Sequence, residues 1–297
     1  MNRIKQKTIV LDVDGTITEL NQDEPSIKVI ESLQNEIKSG NEIIIATGRP
    51  FCQTIKLVEN IGALPITLLT CNGSLALIYP ERKIIGYKPM DKNLCLPILQ
   101  FLVKEGIYGY ITVAKKEGII NGENDFNVRI HEYMNVLSSQ LSFSISSETL
   151  KSELFENVEQ FLRPVDINTI KNIEEYDILQ IHMYPLTQEL TNEIITQLKQ
   201  FECDRIEVKQ GGNYIIDVID PTVNKGNVLK EMNIEGLIVY IGDSENDLAG
   251  IQWAIEKNGF GVAMGNASEK VKKNSNYVTT SLDNDGVANA LEYINSV

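Results

Sequence analysis

Asp12 and Asp14 stand two residues apart in the segment Asp12 to Thr16, DVDGT, so on an extended chain both carboxylates project to one side. Two carboxylates so close call for a cation or a shared proton. Asp243, in the run GDSEND from Gly242 to Asp247, offers a third carboxylate. Three hard oxygen donors suit Mg²⁺ better than zinc. Gly15 permits a sharp turn that brings backbone N–H groups toward an anion, Thr47 can donate a hydroxyl hydrogen bond, and Lys225 supplies a full positive charge. Together these residues imply phosphoryl-transfer chemistry, in which positioning and charge neutralisation supply most of the catalysis.

Such residues work only if the fold gathers them, and the pattern around them is α/β. Thr8 to Val13 is an apolar, β-branched run suited to a strand buried on both faces. A helix is expected next, with Pro25 in its first turn, Ile27, Ile30, Leu33 and Ile37 at helical spacing and Gly40 as a stop. Glu42 to Ala46 predicts a second strand, Phe51 to Ile61 a second helix and Ile66 to Leu69 a third strand. A hairpin is expected around ProGluArg at 80–82. From Tyr87 to Asp217 the pattern becomes α+β. There, Leu179, Ile181 and Met183 are expected on one face of a strand and Gln180 and His182 on the other. From Lys225 the alternation resumes through a helix, a strand at Leu237 to Ile241, a helix bearing Leu248, Ile251 and Ala254, and a final helix near Gly286 to Ile294. The predicted fold is therefore a doubly wound, Rossmann-like parallel sheet core, residues 1–86 and 218–297, interrupted by an inserted α+β cap at 87–217.

Composition narrows the setting. The 297 residues are 42% hydrophobic and 23% charged, as in ordinary globular chains, which sets aside disordered and collagen-like classes. A formal charge of −14 disfavours nucleic acid or an anionic membrane as partner, since both demand clustered positive charge. No apolar run approaches the roughly 18 residues needed to span a bilayer. The opening MNRIKQKTIVLDVDG lacks the pattern of a signal peptide, and Cys52, Cys71, Cys95 and Cys203 show no CxxC spacing, so a reduced cytoplasm is expected.

The motifs resemble those of the haloacid dehalogenase superfamily of aspartate-nucleophile phosphatases, specifically its Cof-type branch with an α/β (type IIB) cap. DVDGT is similar to its first motif, Thr47 in ATGR to its second, Lys225 in NKGNVLKEM to its third and GDSENDLAGI to its fourth; Asn72 and Gly73, GVAMGNA from Gly261 and DNDGVANAL from Asp283 add further similarity. The resemblance covers the core, whereas the insert matches only in position and size. It implies that Asp12 is a nucleophile and Asp14 a general acid/base. It further implies that Asp12, Asp243 and the Asp14 carbonyl hold Mg²⁺ and that Asp247 orders the metal shell or Lys225. Gly15, Thr47, Gly48, Lys225 and Asn246 are implied to place the phosphate, and Arg49 and Asn72 to contact substrate or support the site. The implied substrate is a small phosphorylated metabolite such as a sugar phosphate, nucleotide or phosphorylated vitamin, for a monomer or homodimer. A phosphohexomutase or other phosphotransferase, and a non-catalytic sensor of phosphate ligands, remain alternatives. One departure is the segment Ala254 to Gly259, about one helical turn longer than the family pattern and expected to lie away from the catalytic end of its helix.

Plain structural readings compete at several positions. AspGly after a strand is commonly only a turn, and a lone Lys225 or Arg49 is an ordinary surface residue. The order of all four motifs after the right elements carries the functional reading. For His182 and His131 the structural reading, a hydrogen-bonded or solvated histidine, is preferred.

Overall fold

The computed structural model describes residues 6–20, 22–62, 64–104, 109–117, 129–136, 162–164, 177–183, 187–199, 207–211 and 215–297. The chain divides into two compact units, Met1–Gly86 with Asn224–Val297, and Tyr87–Val223.

The first unit is built on β1 (Lys7–Leu11), β2 (Glu42–Ala46), β3 (Ile66–Thr70), β4 (Leu75–Tyr79), β5 (Lys83–Tyr87), β12 (Leu237–Gly242), β13 (Phe260–Ala263) and β14 (Tyr277–Val278). Their order across the sheet is β14-β13-β12-β1-β2-β3-β4-β5. Every pair from β14 to β3 is parallel, and β4 pairs antiparallel with β3. Ile9, Val10 and Leu11 are fully buried because β1 lies between parallel neighbours in a sheet with helices packed on it, which is why its sequence is a continuous apolar run. Burying each such side chain stabilises the fold by about 1.5–3 kcal/mol.

Five helices of this unit bear on the site or its support: α1 (Ile27–Lys38), α2 (Phe51–Ile61), α5 (Lys225–Glu231), α6 (Leu248–Glu256) and α8 (Gly286–Ser296). The first helix begins at Ile27, two residues after Pro25, because the Ser26 hydroxyl accepts a hydrogen bond from Val29 N and so takes the capping position; Pro25 precedes the cap. The longer segment after α6 turns through Lys257–Gly259 into β13, at the end of the helix remote from Asp247.

Chain direction across the sheet changes between β1 and β12. From β1 the chain steps outward to β2 and β3, and from β12 it steps the other way to β13. Ligand sites in open α/β sheets form at such a switch, outside the carboxyl ends of the strands. Register makes the coincidence concrete: Leu11 is level with both Ile241 and Ile45, so Asp12 emerges beside Gly242 on one side and near Thr47 on the other.

The second unit contains α3 (Lys92–Lys104), α4 (Gln188–Leu198) and the strands β6 (Gly109–Glu117), β7 (Arg129–Val136), β8 (Leu162–Pro164), β9 (Asp177–Met183), β10 (Glu207–Gly211) and β11 (Ile215–Ile219). Their order is β10-β11-β9-β6-β7-β8, antiparallel except for the β7–β8 pair. Ile178, Ile181 and Met183 pack with Cys95, Ile98, Leu99, Ile194 and Leu198 in one apolar cluster. Leu179 was expected beside Ile181 and Met183, but Ile178 takes that side. A register shift opposite Thr112 and Val113 adds one residue to β9 and reverses the alternation before Gln180. His182 pairs with Asp217 of the neighbouring strand, the structural role preferred for it. His131 lies in β7, and its side chain is outside the described residues.

The remaining short helix, α7 (Glu269–Lys273), carries the lysine run of the sequence, with Lys270 exposed and paired to Glu245. Among the described residues no helix is long and apolar enough to cross a membrane.

Candidate active site

The ends of four adjacent strands meet at the site. Asp12 follows β1, and its backbone N–H donates to Ile241 O at 3.0 Å, which fastens it to the end of β12. Its carboxylate is buried, and its Oδ1 accepts from Lys225 Nζ at 2.5 Å. Lys225 reaches this position because Asn224 caps α5, its side chain accepting from Asn227 N at 2.8 Å, so that the first helical residue points into the site. Only 1% of the Lys225 side chain is exposed. Its ammonium also donates to Asp247 Oδ1 at 2.7 Å and, at the limit of hydrogen-bond length, to Asn246 Oδ1 at 3.5 Å.

Asp247 is fully buried and organises the loop after β12. Its Oδ2 accepts from the backbone N–H groups of Asp243 and Ser244, both at 3.1 Å, and its Oδ1 from the Tyr240 hydroxyl at 2.8 Å. Ser244 and Asp247 complete a capping box, and Ser244 Oγ donates to Asn246 Oδ1 at 2.6 Å. The S-x-x-D spacing is a sequence signal for that box, and a tyrosine in a buried parallel strand signals a hidden polar partner. Neither was read from the sequence, although Asp247 itself was.

Asp12, Asp243 and Asp247 each present a carboxylate oxygen within 4.8 Å of the others. Burial, followed by repulsion from Asp247, pushes the Asp12 carboxyl up, while Lys225 opposes. The same causes push Asp243 up to about 7. Lys225 is pushed up as well: its desolvation is outweighed by Asp12 and Asp247, so the ammonium stays charged. One cation therefore faces three carboxylates. Asp243 Oδ1 is buried without a hydrogen-bond partner, and the donors are all carboxylate oxygens, a set that fits a hard divalent cation such as Mg²⁺.

Gly15 makes the close approach of the two loops possible. Its φ is +82°, and a Cβ there would collide with the Asp243 carboxylate. The turn is braced by Asn266, which donates to Gly15 O at 2.8 Å and accepts from Leu282 N at 2.9 Å, and this gives the asparagine of the GVAMGNA segment a structural role.

On the other flank, Thr47 N donates to Leu69 O at 2.8 Å and Asn72 N to Thr47 O at 2.9 Å, tying the ends of β2 and β3 together. Thr47 is buried, and its Oγ1 accepts from Arg49 N at 3.1 Å, leaving the hydroxyl hydrogen to donate elsewhere. Gly48 lies against the Asn72 amide, where an added Cβ would stand 3.4 Å from Nδ2, and Asn72 itself is buried at a left-handed φ of 57°.

Arg49 was expected to contact substrate or support the site, and Asp12 and Asp14 to need a cation or a shared proton. The structure gives Arg49 a supporting contact, with the Asp14 carboxylate. Asp14 is held bidentately, Arg49 Nη2 donating to Oδ1 at 2.6 Å and Nε to Oδ2 at 2.9 Å. Arg49 in turn is buried between Asp14, Asp23 Oδ1 at 2.9 Å and Gln22 O at 2.8 Å. Each of the two carboxylates thus has its own cation, Lys225 for Asp12 and Arg49 for Asp14. Asp23 was not singled out in the sequence, where it is one acidic residue in a polar loop.

A profile of the haloacid dehalogenase-like hydrolases matches residues 9–291. The chain is 24% identical over 293 residues to the 5-amino-6-(5-phospho-D-ribitylamino)uracil phosphatase YwtE of Bacillus subtilis, covering 95% of this chain and 96% of that one. It is 25% identical over 312 residues to the phosphatase YwpJ of the same organism, covering 97% and 99%. Among solved structures, a haloacid dehalogenase-like hydrolase from Bacteroides thetaiotaomicron superposes with a TM-score of 0.72 at 23% identity, covering 98% of this chain and all of that one.

Proposed function

Because this chain belongs to the haloacid dehalogenase-like hydrolase family and is a phosphatase of small phosphorylated molecules, we propose that it hydrolyses phosphomonoesters through an aspartyl-phosphate on Asp12, with Mg²⁺ as cofactor. The observation that carries this reading is the buried Asp12–Lys225 pair beside Asp243 and Asp247 at the switch point of the sheet.

Lys225 occupies Asp12 Oδ1, so Oδ2 is the oxygen that attacks phosphorus. As the Oδ2–P bond forms, the bond from phosphorus to the ester oxygen breaks, and Asp14, protonated on one oxygen that it frees from Arg49 while the other stays gripped, delivers that proton to the leaving oxygen. Asp14 then takes a proton from the water that attacks the aspartyl-phosphate, which releases phosphate and restores Asp12. Thr47 donates its hydroxyl hydrogen to a phosphoryl oxygen. Lys225 exchanges its long contact with Asn246 for another, and Asn246 and the backbone around Gly15 and Gly48 complete the cradle. When bound by the Asp12 and Asp243 carboxylates and the Asp14 carbonyl, Mg²⁺ supplies charge neutralisation for the transferring phosphoryl group. Asp247 holds Lys225 and the turn before it rather than the ion.

The division into a core and an inserted cap, expected at 1–86 with 218–297 and at 87–217, belongs to the same reading, in which the cap selects the organic part of the substrate; the second compact unit contains all of β11 and runs on to Val223. Cytoplasmic action as a monomer or homodimer is consistent with the acidic charge and the lack of CxxC spacing. The test is phosphate release, with and without Mg²⁺, from sugar phosphates, nucleotides, FMN, pyridoxal phosphate, 5-amino-6-(5-phospho-D-ribitylamino)uracil and p-nitrophenyl phosphate. Mg²⁺-dependent release from any of them supports the reading, and a folded protein that releases phosphate from none overturns it. Transfer between hexose positions without net release would instead support the phosphohexomutase alternative.

A further inference from the structure

The Arg49 guanidinium is gripped from two directions. One edge forms the bidentate pair with Asp14, and the other is fixed by the Asp23 carboxylate and the Gln22 carbonyl. Only 6% of the Arg49 side chain and 11% of the Asp23 side chain are exposed, against 26% for Asp14, so the buried end of this chain of contacts is Asp23. Asp23 is itself anchored. Its backbone carbonyl accepts from Asn60 Nδ2 at 2.7 Å, and Lys56 Nζ lies 3.6 Å from its second oxygen, both partners coming from α2. Arg49 immediately precedes Pro50, the residue that caps that same helix. The loop at 22–23, the start of α2 and the turn after β1 are thus locked together through one planar cation.

Burying a carboxylate and a guanidinium is costly unless their geometry is well satisfied, and a surface loop has no folding need to contribute Asp23 to it. The pair is explained by what it holds. Asp14 sits in a turn with a partly exposed side chain, where its carboxyl has rotamer freedom to lose. A proton donor misplaced by about 1 Å can cost on the order of a hundredfold in rate. A guanidinium that is planar and pre-oriented by two further acceptors fixes both the position and the plane of the carboxyl it grips, which a lysine cannot do.

We propose that Asp23 is a positioning residue for this enzyme, acting through Arg49 to set the Asp14 carboxyl where it exchanges a proton with the leaving oxygen. The inference rests on the assignment of Asp14 as acid/base in the reading above, and its consequence depends on the leaving group. A poor leaving group, an alkyl alcohol, needs the proton as its bond to phosphorus breaks. p-Nitrophenolate leaves without one. Loss of Asp23 therefore slows the first class selectively.

The experiment compares kcat and KM of wild type, Asp23→Asn and Asp23→Glu on glycerol 2-phosphate and p-nitrophenyl phosphate at saturating Mg²⁺, alongside Arg49 Nε–H exchange followed by NMR. For Asp23→Asn the expected result is a fall of about 10- to 100-fold in the ratio of alkyl to aryl kcat, part of the general-acid contribution. KM is expected to change little, and Arg49 Nε–H to exchange faster. Asp23→Glu, which keeps the carboxylate, restores part of the ratio. Equal losses on both substrates would mark Asp23 as merely structural and overturn the proposal, as would an unchanged ratio or unaltered Arg49 exchange. Absence of turnover by the wild type on every phosphate ester would instead overturn the phosphatase mechanism, while the exchange measurement still decides whether Asp23 holds Arg49.

Discussion

Removing divalent cations should make this protein's stability depend steeply on pH, and Asp243 sets the size of the effect. Its carboxyl is pushed up to about 7 by burial and by Asp247, against an ordinary value of about 3.9 in the unfolded chain. Between those values the folded protein holds a proton that the unfolded chain has released. The stabilisation is therefore fully present below about pH 4, is lost as pH rises through about 7, and is flat above. Three pH units at about 1.4 kcal/mol each amount to about 4 kcal/mol, a large share of the roughly 5–15 kcal/mol that holds a typical domain. Asp12 is pushed in the same direction, partly by Asp243 itself, so the two carboxyls act as one coupled site. The measurement is urea unfolding in EDTA at pH 5 and pH 8, followed by fluorescence of Trp253, the single tryptophan, which is buried in α6 of the first unit. The midpoint should be lower at pH 8. Mg²⁺ should restore it there and do little at pH 5, because the cation replaces the proton. Asp243→Asn should shrink the pH dependence. Equal stability at the two pH values in EDTA, or an Asp243→Asn variant with the full wild-type dependence, would refute the argument that surplus carboxylate charge is what the cation neutralises.

Other substitutions test the rest of the site. Lys225→Met removes the ammonium that faces Asp12 and Asp247 and leaves buried carboxylates without a counter-charge. It should cost about 3–5 kcal/mol at pH 8 by urea unfolding, less at pH 5, and abolish phosphate release. Asp12→Asn should lower phosphate release at least about 1,000-fold while keeping a cooperative Trp253 transition, and near-normal activity would refute its assignment as nucleophile. Gly15→Ala forces a side chain into a left-handed φ and against Asp243. It should cost about 1–3 kcal/mol, and a Mg²⁺ titration of the thermal midpoint should show weaker binding than in wild type.

Much of the fold was legible because its signals are local. An apolar run such as Thr8 to Val13 suits a strand covered on both faces, and β1 is one, whereas the helical spacing of Ile27, Ile30, Leu33 and Ile37 located α1 but not its buried side, since Val29 and Leu33 are buried and Ile27 is 76% exposed. The misreadings were also local, but they depended on competition. Ser26 displaced Pro25 from the first turn by offering a side-chain cap, and one added residue in β9 reversed the faces around Leu179. An alternation rule carries no information about where a register shift falls. Tyr240 was readable as a buried hydroxyl in need of a partner, but nothing nearby in sequence named Asp247 as that partner.

By itself the sequence determined the chemical inventory: the aspartates, Lys225, Thr47 and Arg49, and the alternating elements whose carboxyl ends bring them together. These follow from side-chain type and from periodicity over a few residues. Only the tertiary structure decided how the charges are paired. Asp12 and Asp14 are neighbours in the chain, yet one is matched to Lys225, 213 residues away, and the other to Arg49, 35 residues away, with Asp23 behind it. Opposite charges in a buried site choose partners by distance and desolvation, and those distances exist only once β1, β2 and β12 lie side by side.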